Sequence, residues 1–141
     1  MAEPIMEFVD ETQAYECLKE WQKRLFLDDW VIRLYLVEFG QLKTPDGDEL
    51  YGRCLYTPEL KTACVKISKK DADDSDVVLK YCAEKVLLHE LLHCKFMLAD
   101  NAPQNTEGTF FALVEHSIIE EMAKAFIMAK YGLPFEFFWN F

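Results

Sequence analysis

VVLKYCAEKVLLHELLHCKFML, residues 77–98, is the stretch on which the reading of the whole chain turns. Apolar residues recur through it at three- and four-residue steps, the period of a helix, and neither proline nor glycine interrupts. Within it, His89 and His93 stand four apart and so share one helix face, where both imidazoles can reach a single ion. Glu90 lies about 100° round from His89, beside such an ion rather than on it. That is where a base must sit to take a proton from a metal-bound water. The competing reading is a core helix that happens to carry two histidines. Burying two imidazoles on an apolar stripe leaves several ring nitrogens in need of partners, which one shared cation would satisfy together. The metal reading is therefore preferred, and neutral imidazole suits zinc, one ion. Cys94 directly follows His93 but points about 100° away, so it is not expected in the same site.

Outward from the motif the pattern changes period. Residues 10–27 place Tyr15, Leu18, Trp21, Leu25 and Phe26 at helical intervals, with Asp10 or Thr12 as cap. WVIRLYLVEF (30–39), LYGRCLYT (50–57) and TACVKIS (62–68) read as strands, the last two joined as a hairpin around Pro58-Glu59. Pro45, Asp46 and Gly47 mark a turn between the first two. KKDADDSD is a polar loop whose Ser75 or Asp76 caps the motif helix, expected from Val77 to about Leu98. Thr106 caps a last helix from Glu107 to about Tyr131, which Gly132 and Pro134 stop. The tail FEFFWNF either folds back onto the core or exposes an aromatic patch for a partner. The expected class is α+β in one domain over residues 1–141: an N-terminal helix, a small three-stranded, mainly antiparallel sheet, the motif helix and a following long helix.

A third ligand must come from the last helix, which offers Glu115, His116, Glu120 and Glu121. Taking Phe111, Val114, Ile118, Met122 and Phe126 as the inward stripe puts Glu115 in its middle and His116 at its edge. A lone carboxylate centred on an apolar stripe needs a partner, and a metal shared with His89 and His93 supplies one. Glu115 is thus the expected third ligand, with His116 as the alternative. Whichever does not ligate can hydrogen-bond a residue that does. Glu120 and Glu121 are expected on flanking, solvated faces.

Bulk properties narrow the field. Hydrophobic residues make up 51% of the 141, enough for a sizeable core. The formal net charge of −10, without a Lys/Arg cluster, argues against nucleic-acid binding. No apolar run is long enough for a membrane span, and the acidic start MAEPIMEFVDE is unlike a secretory signal, so a cytoplasmic location is expected. Cys17, Cys54, Cys64, Cys82 and Cys94 form no C-x-x-C pair and are expected as reduced thiols.

HELLH on one helix, followed by a glutamate on the next, resembles the zincin metallopeptidases whose third zinc ligand is a glutamate. The chain is most similar to the small phage- and prophage-encoded metallopeptidases, through Trp21, Leu25, Leu27, Asp29 and Trp30 and through Glu115, His116, Ile119 and Glu120. It is more distantly similar to the SprT-like group. Unlike that group it has no third histidine in a G-x-x-H context after the motif, no zinc ribbon and no basic tail, which weighs against a DNA-repair role. The resemblance implies a zincin-like fold and hydrolysis of a peptide or protein substrate by zinc-activated water, with Glu90 as general base. It also implies that an edge strand before the motif helix aligns the substrate, a place TACVKIS would fill. Tyr131 and His116 are candidates for assisting the oxyanion. The alternative is a catalytically inactive zincin-like metal-binding module acting in protein–protein contacts.

Overall fold

The computed structural model describes residues 2–71, 80–96 and 110–139. Helix α1 spans Glu11–Arg24, strands β1, β2 and β3 span Val31–Val37, Gly52–Thr57 and Thr62–Ser68, and helices α2 and α3 span Ala83–Lys95 and Phe110–Tyr131. Asp10 caps α1, its Oδ1 accepting from the Gln13 amide at 2.8 Å. The helix buries Ala14, Cys17, Leu18 and Trp21 as its spacing predicts. It stops at Arg24, however, and Phe26 sits in the left-handed region (φ 58°) with its ring in solvent, off the core face expected for it. The Gln22 amide then donates to the carbonyls of Leu27 and Trp30, holding the turn into β1.

The sheet order is β1-β3-β2. β2 and β3 form the expected antiparallel hairpin through a 3-10 turn at Pro58–Leu60, closed by Lys61 in the left-handed region. β1, however, pairs parallel to β3, so the sheet is mixed rather than mainly antiparallel. TACVKIS is consequently the central strand, not an edge; β1 and β2 are the edges among the described residues. Alternation along the strands turns Ile32, Leu34, Ala63, Val65 and Ile67 inward onto the helices. With Trp21, Leu87, Leu88, Leu91, Ile119 and Ile127 they form one core, against which β2 packs partly buried Cys54 and Tyr56.

Helix α2 begins at Ala83, several residues later than the periodicity predicts, because residues 80–82 are not helical; the predicted caps Ser75 and Asp76 lie outside the described residues. Its first amides are capped from the far end of the chain: Ala83 N–H donates to the Met6 carbonyl (2.9 Å) and Glu84 N–H to the Ile5 carbonyl (3.0 Å). Glu84 is fully buried and fully engaged. Its Oε1 accepts from the Ile5 amide (2.9 Å) and the Tyr131 hydroxyl (2.7 Å), its Oε2 from Trp21 Nε1 (2.8 Å) and Lys130 Nζ (2.9 Å). The N-terminal segment, α1, α2 and α3 meet on this one side chain.

The predicted start of the last helix, with Thr106, lies outside the described residues. Its end is as expected: Gly132 adopts φ 63° and Leu133 N–H returns to the Met128 carbonyl, a left-handed stop. The tail packs back through buried Phe138, while Phe135 and Trp139 stay exposed. Among the described residues no helix is long and apolar enough to cross a membrane.

Candidate metal centre

The two helices present the site as two neighbouring ridges. On α2, Leu87, Leu88, Leu91 and Leu92 are buried and fix the helix against the sheet, leaving His89, Glu90 and His93 toward a cleft. On α3, the buried ridge is Glu115, Ile119, Ala123 and Ile127, each four residues from the last. The adjacent ridge, Ala112, His116 and Glu120, lines the cleft. This differs from the stripe expected from the sequence. Val114 and Ile118 are about 40% exposed (39% and 42%), and Met122 and Phe126 are only partly buried; the Phe111 side chain lies outside the described residues. Large apolar side chains mark a face further round than the one that packs, which is built partly from alanine.

That rotation changes which third residue meets the histidine pair. Ligand atoms of His89, His93 and His116 lie within 4.8 Å of one another, with ring centroids 5.1–5.8 Å apart. Glu115, the expected ligand, is buried one position earlier and is not part of this group. Three imidazoles at this spacing fit the donor set of one zinc ion, with a fourth position left for water.

Glu120 was expected to be solvated. Instead it orients the site: His89 Nδ1–H donates to Glu120 Oε2 at 2.9 Å, and Lys85 Nζ pairs with Oε1 at 2.6 Å. Holding Nδ1 leaves the other ring nitrogen of His89 to face a metal, the carboxylate–histidine arrangement of zinc sites. Burial works to raise the Glu120 carboxyl, but the hydrogen bond from His89 and the Lys85 ammonium outweigh it and bring it down to about 2. It is therefore a fixed anion at neutral pH.

Glu90 is different. Burial raises its pKa, with His89 and His93 pulling the other way, and no hydrogen bond satisfies it among the described residues. Its carboxylate presses against the start of β2. A Cβ added at Gly52 would lie 2.7 Å from Glu90 Oε2 and 2.9 Å from Val86 Cγ1, so only glycine admits this approach. Neither Gly52 nor the Lys85–Glu120 pair stands out in the sequence; a glycine opening a strand that faces the motif helix is the one trace of the former.

The cleft itself holds about 790 Å³, and its other wall is β2, with Tyr51, Arg53, Cys54 and Tyr56 lining it. β2 thus takes the place proposed for TACVKIS. Cys94 is buried against Cys54 at 4.0 Å and takes no part in the histidine cluster. Tyr131 is spent elsewhere: its hydroxyl donates to Glu84, and burial together with that bond pushes its pKa up to about 12. It does not line the cleft, which leaves His116 as the expected oxyanion candidate placed there. Comparison with family models, with curated proteins and with solved structures found no match to this chain.

Proposed function

We propose that this chain is a zinc-dependent peptidase, with His89, His93 and His116 holding one ion and Glu90 acting as general base. The observation that carries the reading is the cluster of three imidazoles within 4.8 Å beside a buried carboxylate of raised pKa. A bound zinc ion supplies Lewis acidity, bringing the pKa of its water to about 7. Glu90 takes the proton of the attacking water and passes it to the leaving nitrogen, a role its raised pKa suits. Glu120 holds the His89 ring in one tautomer through Nδ1 while Lys85 holds Glu120. β2 is the strand along which an extended peptide aligns, its backbone beside Glu90 at Gly52. In this reading Glu115 is a buried neighbour of the site.

The test begins with metal content of protein purified without a histidine tag. One zinc per chain is expected, lost in His89→Ala and His116→Ala but kept in Glu115→Ala. A folded, metal-free wild type would rule the centre out. Loss of zinc in Glu115→Ala with retention in His116→Ala would reverse the ligand assignment. Cleavage of a peptide library should then fall about 10²–10⁴-fold in Glu90→Gln with zinc still bound. Equal cleavage by both proteins would remove Glu90 as the base.

A further inference from the structure

The sheet has a second face, and none of the helices among the described residues covers it. Strand alternation turns Val31, Arg33 and Tyr35 of β1, Thr62, Cys64 and Lys66 of β3, and Arg53, Leu55 and Thr57 of β2 away from the core. Not one of these nine positions is acidic, in a chain with 25 Asp and Glu against 15 Lys and Arg. Arg53 and Lys66 are direct cross-strand partners. Like charges placed opposite one another destabilise a sheet, so this pair costs the fold something. Beside them a groove of about 270 Å³ is lined by Gln41, Leu42, Lys43, Arg53, Leu55, Cys64 and Lys66, again without a carboxylate. At the margins of the face the cations are neutralised: Lys61 pairs with Asp29, and Lys69 with Glu38 at 2.7 Å. Among the described residues, Arg33, Lys43, Arg53 and Lys66 make no such pair.

We propose that this outer sheet face docks an acidic polypeptide segment with aliphatic side chains interspersed. Four unneutralised cations call for carboxylates. Val31, Leu55 and Tyr35, all at least 41% exposed between those cations, call for apolar side chains on the same partner. A nucleic-acid strand matches less well. It offers nothing to the aliphatic residues, stacks on several aromatics where this face has one, and carries a dense charge that the net −10 of the chain opposes. A short peptide needs only a few carboxylates to match. Arg53 lines both this groove and the metal cleft, so a segment docked here lies at the cleft rim. The docking does not depend on the peptidase reading.

Fluorescence anisotropy of the full-length Glu90→Gln protein at low salt provides the test. The probe is a labelled peptide of alternating glutamate and leucine; its lysine counterpart and a single-stranded oligonucleotide of equal charge are the competitors. Saturable binding of the acidic peptide is expected, lost at high salt. Lys66→Glu should weaken it about tenfold or more, whereas Lys19→Glu on α1, with the same change in net charge, should stay within about twofold. Lys66→Glu also converts the like-charge pair into an opposite one, so its Tm should rise by about 1–3 °C while binding falls. A fall in Tm together with binding would assign Lys66 a structural role and overturn the proposal. So would absence of binding, equal weakening by the two variants, an oligonucleotide that competes as well as the peptide, or self-association of the protein that Lys66→Glu abolishes.

Discussion

Two buried glutamates on α2, six residues apart, have opposite fates. Glu84 is wholly enclosed and receives four donors, from Ile5, Trp21, Lys130 and Tyr131. Glu90 is 7% exposed, faces the cleft, and among the described residues has no hydrogen bond to offset the burial acting on it. A carboxylate whose lone pairs are all taken has nothing left to exchange and serves as an anchor. One kept dry beside two imidazoles holds its proton affinity high and can move a proton. Burial alone does not separate anchor from base; the partners do.

The largest expected effect lies on the Glu90 side. Glu90→Gln should lower peptide cleavage about 10²–10⁴-fold while Tm stays unchanged or rises, since a poorly solvated charge is removed. A marked fall in Tm would make Glu90 an anchor too. Glu84→Gln should do the reverse. Lys130 would lose its most buried partner, and stability measured by urea titration should drop by about 3–5 kcal/mol, with zinc still bound by the folded fraction. Replacing both, as Glu84→Leu with Lys130→Met, should recover part of that loss, because the unpaired ammonium is gone while the Ile5, Trp21 and Tyr131 donors still lose their acceptor. A double variant no better than Glu84→Gln would show that the amide and indole donors matter more than the charge.

Gly52→Ala is a smaller perturbation. Its methyl would push the Glu90 carboxylate aside, and kcat should fall about 10–100-fold with zinc content intact. Placed on Glu90→Gln, the same change should have almost no further effect on turnover. Smallest is Trp21→Phe, which removes one donor from Glu84 and should cost about 1–2 kcal/mol. If Trp21→Phe proved as damaging as Glu84→Gln, the indole would be the keystone of the network.

Local signals carried much of the fold. The Asp10 cap, the hairpin and bounds of TACVKIS, and the glycine stop at Gly132 were legible because each depends on a few adjacent residues. The histidine pair was legible for the same reason. What was hidden depends on distant packing. Parallel pairing of β1 with β3 leaves no mark in strands that would alternate the same way either way. The inward face of α3 is masked in the sequence because Val114 and Ile118 outweigh Ala123 in any hydropathy count, although the alanine is the one fully buried. Once that face is turned, His116 and Glu120 both come to the cleft, and the buried Glu115 remains on the ridge that packs.

The cap on α2 has a consequence for how the protein folds. The carbonyls that satisfy the start of α2 belong to Met6 and Ile5, and Glu84 follows Ile5 by 79 positions. That loop must close before the helix is complete, and closure over such a span is a slow, non-local event. The histidine pair on α2 therefore takes its final place only after both ends of that loop have met.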